Sequence, residues 1–326
     1  MRGRRFVACA VRDPKGNIVV TSEPISPAIY ASRWAQVPFL RAVTTLWDTL
    51  VLGTKMLMYS ANVAVSEESA KEAAPVMVEG VAQGSAPGAI GKVGAAKGQS
   101  TAAGAIGTGV AFGTLMVSLA FGIALFFVLP LFLVSLIDPL LNVALPDNTI
   151  ASVASNIIEG LIRLIIFLAY LFTISLLPDV RRVFQYHGAE HKTIAADEAG
   201  APLTPESVQR FSKEHPRCGT GFLLVVVVVS IVVFALLGRP PIIWRMVSRI
   251  VLVPVVAALS YELIKFSSAH RGNPLLYWLV VKPSLALQSL TTREPDAKMI
   301  EVAVAALRHV QAQEQAAPTA LAEARG

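Results

Sequence analysis

Four long apolar stretches divide this chain, and its polar residues are gathered between and beside them. The first runs from about Ala111 to Ile137 and is broken by Pro130. The second covers about Ile157 to Leu177 and contains Arg163. The third, about Thr220 to Leu237, is nearly all Val, Leu, Ile and Phe. The fourth and shortest, about Ile250 to Ile264, holds Pro254, and it begins nearer Ile242 if Arg245 and Arg249 snorkel or face protein. Stretches of this length and apolarity suit the ~30 Å hydrocarbon core of a bilayer.

Outside them the periodicity changes. Phe6 to Val20 predicts a short hairpin, with Asp13-Pro14-Lys15-Gly16 as its turn. Trp34 to Tyr59 has apolar residues at helical spacing (Trp34, Phe39, Leu40, Trp47, Leu50, Val51) interspersed with Arg41, Asp48 and Lys55. That pattern predicts an amphipathic interfacial helix rather than a span. Gly80 to Gly109 is rich in Gly, Ala and Ser without a period and reads as a linker. Leu275 to Val281 is apolar but too short to cross, and is expected to end at Pro283. A terminal amphipathic helix carries Ile300, Val304, Leu307 and Val310 on one side.

The expected fold class is therefore mainly α: a polytopic membrane helix bundle of about four transmembrane helices, with a small N-terminal β-hairpin and amphipathic cytoplasmic helices. Residues 1–79 form an N-terminal interfacial region and 80–110 the linker. Residues 111–290 form a membrane domain with a His-rich loop over 178–219, and 291–326 a C-terminal helix and tail.

Composition agrees with a membrane setting. The chain of 326 residues is 54% hydrophobic, only 15% charged, and has a mean hydropathy of +0.59; soluble domains carry about 25% charged residues. The net charge of +6 fits basic residues meeting anionic lipid better than a nucleic-acid surface. Membrane lipid is thus the expected partner, nucleic acid is not, and four spans would need a homo-oligomer to form a pore. Eleven Lys and Arg precede the first span, none lie between Asp138 and Asn156, six lie between Pro178 and Gly219, and seven follow Ile264. This asymmetry predicts a multi-pass protein of the cell membrane with both termini and the His-rich loop in the cytoplasm. Arg239, Arg245 and Arg249 are the discordant charges. The start, Met-Arg-Gly-Arg-Arg-Phe, shows no signal-peptide core, and Cys9 and Cys218 do not make a disulfide framework.

Chemistry concentrates at Tyr186-His-Gly-Ala-Glu-His-Lys192. His187 and His191 are one helical turn apart and share a face, in the H-x-x-E-H order of inverzincins. Both imidazoles can reach one cation, zinc or another divalent metal, with Glu190 beside that face as a general base. Third-ligand candidates are His215 and Cys218, in His215-Pro-Arg-Cys-Gly-Thr220, and Glu262 at the end of the fourth span, with His270 beyond it. Two readings stand for the pair: metal ligands, or interfacial histidines bonded to Glu190, Glu198 or loop carbonyls. Cys218 is equally readable as a small buried hydrophobe, and Arg163 as the partner of Glu159 one turn earlier.

These motifs, together with Asp197-Glu198-Ala-Gly200, Tyr261-Glu262 and Leu290-Thr-Thr-Arg-Glu-Pro295, resemble the YqhQ-like family of bacterial multi-span membrane proteins. That is a domain of unknown function often labelled a predicted metal-dependent enzyme. The family pattern opens with a Gly-Gly-Gln-Ala-type segment leading into Met-Met-Arg-Gly, whereas this chain begins at Met1-Arg2-Gly3. The resemblance implies His187, Glu190, His191, His215, Cys218 and Glu262 as motif positions and carries no reaction with it. Two functions follow: a metal-dependent hydrolase at the inner face of the membrane, or a non-enzymatic transporter, channel or assembly scaffold with a structural histidine cluster.

Overall fold

The computed structural model describes residues 1–25, 37–72, 102–145, 147–216, 218–238, 240–270 and 272–323. It opens with β1 (Phe6–Arg12) and β2 (Ile18–Pro24), antiparallel and in register from Phe6 opposite Pro24 to Arg12 opposite Ile18. The predicted turn closes them: Asp13 Oδ1 accepts from the Asn17 N–H at 2.7 Å, and Gly16 takes φ +94°, which favours glycine. Helix α1 (Leu40–Glu72) follows. Trp34 lies outside the described residues, and within α1 Trp47, Leu50 and Leu57 expose their apolar side chains.

The apolar part begins with α2 (Ala102–Ile123), which runs through a π-helical turn at Ala124–Val128 into α3 (Leu129–Ala144). Pro130 sits just after that turn, where the widened ladder accommodates its missing N–H. Helix α4 (Asn148–Ile174) is capped by Asp147, which accepts from the N–H groups of Thr149 and Ile150 at 2.7 and 3.3 Å. Most of the segment 138–156 between the two predicted spans is thus helical: α3 runs on to Ala144, and the Asp147 cap starts α4 at Asn148. The linker expectation is also shortened: residues 80–101 lie outside the described residues, and 102–109 belong to α2.

Next come α5 (Pro178–Glu198), the single turn α6 (Pro205–Val208) and α7 (Thr220–Ala235). Helices α8 (Ile242–Val251) and α9 (Val253–Ala269) meet at a 46° bend, with Pro254 in the first turn of α9. Helix α10 (Pro274–Leu276) passes through a second π turn, Tyr277–Val281, into α11 (Lys282–Thr291). Pro283 therefore does not stop the helix, since it falls in the first turn after a π turn. Helix α12 (Ala297–Glu323) is the last described element.

Among the described residues, two helices are long and apolar enough to cross a membrane: Gly113–Ala144, with mean hydropathy 2.7, and Asn148–Ile174, with 2.2. The bent α8–α9 pair makes a third if it is one span, while α7 is apolar but short. Leu115, Val117, Phe121, Leu136 and Ile165 face outward, so the apolar helices do not hide their surface in a core of their own. Helix α7 packs on α4, α9 and α11. A separate core of Ala189, Ala196, Val208, Ile300 and Val304 joins α5, α6 and α12 at the polar end, where the hairpin lies on α12.

Between α3, α4 and α8 the apolar packing encloses charge. Glu159 accepts from Arg163 at 2.7 Å, from Arg245 at 2.9 Å and from Arg249 at 3.0 Å on each carboxylate oxygen. Arg249 also donates to Asn156 at 2.6 Å, and Arg245 lies 3.4 Å from Asp138. Arg245 and Arg249 thus face protein, and a buried charge this far from water needs such partners.

Candidate metal centre

Helix α5 carries His187 and His191 on one face, their ring centroids 4.3 Å apart. Each ring gives one nitrogen to the backbone: His187 Nδ1 to the Thr291 carbonyl at 2.8 Å, His191 Nδ1 to the Lys213 carbonyl at 2.6 Å. A carbonyl oxygen can only accept, so Nδ1 holds the proton in both rings and the Nε2 atoms are left to face the third group. That group is Cys218, with Sγ 3.2 Å from His187 Nε2. One ligand atom from each of His187, His191 and Cys218 lies within 4.8 Å of the others. Donors on a tetrahedral zinc, at bond lengths of ~2.0–2.3 Å, stand roughly 3.4–3.8 Å apart, so small rotations about χ would bring these three onto one ion.

Long-range contacts bring Cys218 to the helix. Gln288 of α11 takes the His215 N–H on Oε1 at 2.8 Å and donates its own amide to the His215 carbonyl at 3.0 Å. Buried Lys192 ties down the same loop through the carbonyls of Gln209 and Phe211, both at 2.9 Å, and meets Glu294 at 3.0 Å. Gly188 lets the 291–294 segment lie against α5: a Cβ there would overlap the Arg293 carbonyl oxygen, while the Arg293 N–H bonds the Phe184 carbonyl at 2.9 Å.

The electrostatics favour a thiolate. Burial pushes the Cys218 thiol up, but hydrogen bonds from His187, His191 and Thr220 outweigh it and bring the pKa down to about 5. Burial likewise depresses His187, yet its contacts with Cys218 and Thr291 and the nearby Glu190 charge leave it above the ordinary imidazole value. A deprotonated sulfur beside two imidazole nitrogens is a donor set that suits zinc.

The other predicted positions are spread around this cluster. His215 is buried, with its ring centroid 5.9 Å from that of His191, and its Nε2 lies 3.3 Å from Glu198. Glu190 is half exposed, 4.0 Å from the Met1 ammonium. Glu262 is held by the Arg41 guanidinium and accepts from the Phe39 N–H at 3.2 Å, and His270 stacks on Phe266. Of the supporting groups, Lys192 and Thr291 were visible only as members of the Tyr186–Lys192 and Leu290–Pro295 runs, and Lys213 and Gln288 carried no signal, since they act through backbone or burial.

No solved structure matches the chain. The family model described as "Protein of unknown function (DUF1385)" matches residues 37–313. The chain is 31% identical over 305 residues to "Uncharacterized protein YqhQ" of Bacillus subtilis (strain 168), covering 93% of this chain and 86% of that one. With the motifs around His187, Cys218 and Glu294 inside the matched span, the chain belongs to this YqhQ-like family of unknown function.

Proposed function

We propose that this is a four-span protein of the cell membrane, with both termini cytoplasmic, that holds zinc or another divalent cation on His187, His191 and Cys218 and uses it as a hydrolase. One observation carries the metal assignment: two imidazoles with Nδ1 fixed by carbonyls turn Nε2 toward a low-pKa sulfur. Metal-ligating histidines characteristically give their other N–H to a carbonyl or carboxylate. Three protein donors leave the fourth position open, as catalytic zinc sites do and closed structural sites do not. When bound, zinc supplies Lewis-acid activation of a water or a carbonyl oxygen.

The chain's own groups do the rest. Thr291 and Lys213 hold the rings in one tautomer, and Gln288 and Lys192 fix the loop that bears the sulfur. Glu190, one residue from His191 and half exposed beside the Met1 ammonium, takes the general-base role in this reading. The outward apolar faces of the α2–α3 and α4 helices support membrane insertion. So does the Lys and Arg asymmetry, because burying Arg245 and Arg249 on Glu159 removes two of its three discordant charges.

Metal analysis of the purified chain tests this. About one zinc per chain is expected, lost in His187→Ala, His191→Ala and Cys218→Ala and kept in Glu262→Ala. Folded wild type without metal after growth in zinc overturns the assignment. The 3.2 Å His187–Cys218 contact favours a second function. An imidazolium–thiolate pair is stable without a metal, and in a non-enzymatic transporter or scaffold it would clamp the helix ends. Metal-free protein that melts earlier when either residue is changed is the outcome expected there.

A further inference from the structure

Between the π-helical turn Ala124–Val128, α4, α7 and α9 lies a cavity of about 390 Å³, inside the roughly 300–1,000 Å³ range of small-molecule sites. Its walls are apolar, with Phe126, Phe167, Val227 and Phe234 among them, and among the described residues Arg163 is the one charged residue lining it. The Arg163 side chain is 6% exposed, and its nitrogens are unequally used. Nε donates to the Phe126 carbonyl at 2.9 Å and Nη2 to Glu159 at 2.7 Å, while buried Nη1 finds no hydrogen-bond partner among the described residues. The guanidinium stands 5.4 Å from the Phe234 ring and 5.7 Å from that of Phe127. Among the described residues of its cluster, the guanidiniums of Arg163, Arg245 and Arg249 converge on Glu159, and Arg245 also meets Asp138.

An unbonded, buried N–H on a cation is costly, and native buried donors are otherwise nearly always paired. We propose that this cavity binds a single-chain amphiphile bearing one anionic group, a long-chain carboxylate, with its hydrocarbon against the phenylalanines and a carboxylate oxygen on Arg163 Nη1. One unbonded nitrogen on a cation asks for one anionic oxygen, and so for a single carboxylate. The apolar walls exclude a small polar anion, which would lose its hydration with only one donor to replace it. A membrane setting supplies such amphiphiles directly to an opening between helices. The site is separate from the histidine cluster and does not depend on a metal.

The test uses the full chain in phosphatidylcholine nanodiscs with a diazirine-bearing palmitic acid as photoprobe. Crosslinks are expected on peptides containing Phe167, Val227 or Phe234, competed by palmitate roughly tenfold or more better than by hexadecanol. That is the ratio a hydrogen bond to a charged group gives. Arg163→Gln should abolish the preference for acid over alcohol while labelling persists. Val227→Trp, which fills the cavity and leaves the charges alone, should abolish labelling. If Arg163→Gln fails to fold, the wild-type acid-to-alcohol ratio and Val227→Trp still decide. Equal competition by palmitate and hexadecanol, unsaturable labelling, or labelling unchanged in Val227→Trp overturns the proposal.

Discussion

His187 and His191 are aimed by what they give away. Each spends its Nδ1 proton on a carbonyl, so a second proton on His187 Nε2 points at the sulfur, the imidazolium stabilises it as its anion, and its reactivity becomes a readout of their geometry. Cys218 should titrate near pH 5 in metal-free protein, followed by thiolate absorbance or by the pH dependence of iodoacetamide labelling. Cys9 is the internal control: burial raises its pKa, with only partial relief from the nearby N-terminal charge. At pH 6 the folded state therefore holds Cys218 ionised and Cys9 protonated, and labelling should go to Cys218 first. His187→Ala removes the 3.2 Å partner and should move the Cys218 midpoint up toward the ~8.5 of a free thiol. A midpoint near 8.5 in the wild type would mean that the rings do not face the sulfur, and bound zinc should suppress the labelling altogether.

The helices show which parts of the site the sequence could reveal. A turn's spacing suffices to put His187 and His191 together on α5, because i and i+4 share a face whatever surrounds the helix. It says nothing of the partner across the gap: Cys218, the Thr291 carbonyl and the Gln288 clamp come from other elements, and their meeting depends on how α5, α7 and α11 pack. Glu262 shows the same limit. Its helix end suggested the cluster, but Arg41 of α1 holds it instead. Proline was legible as punctuation at Pro130 and Pro283, while the π turns that let the helices continue through them were not. Gly188 joins the two levels, since its missing side chain seats the 291–294 segment on α5. Gly188→Ala should push that segment off, cost about 1–3 kcal/mol of stability, and loosen Thr291 from His187. A lower melting temperature together with weaker zinc retention is the expected pair of changes. An unchanged melting curve with full metal would show that the approach is not tight.

Across the whole molecule, apolar length was enough to predict a mainly helical protein with helices apolar enough to cross a membrane. The way the bundle holds its buried charge was only half visible: Glu159 and Arg163 are a turn apart in one helix, but Arg245 and Arg249 reach them across an interface from α8. The completed cluster makes an asymmetric prediction about stability. Glu159→Gln removes the carboxylate on which all three guanidiniums converge and leaves them mutually repelling in an apolar interior. Breaking a buried ionic network this way costs about 3–5 kcal/mol. Arg163→Gln removes one of three cations, leaves Glu159 bonded to Arg245 and Arg249, and deletes the unpartnered Nη1. Its cost should be clearly the smaller of the two. Thermal unfolding in detergent, followed by loss of the monodisperse elution peak, ranks the variants directly. Glu159→Gln should melt well below Arg163→Gln, with the latter close to wild type. The reverse order would mean that Arg163, rather than Glu159, is the hub of the network. It would also mean that the surplus cation beside the cavity is a structural necessity instead of a group held ready for an anion.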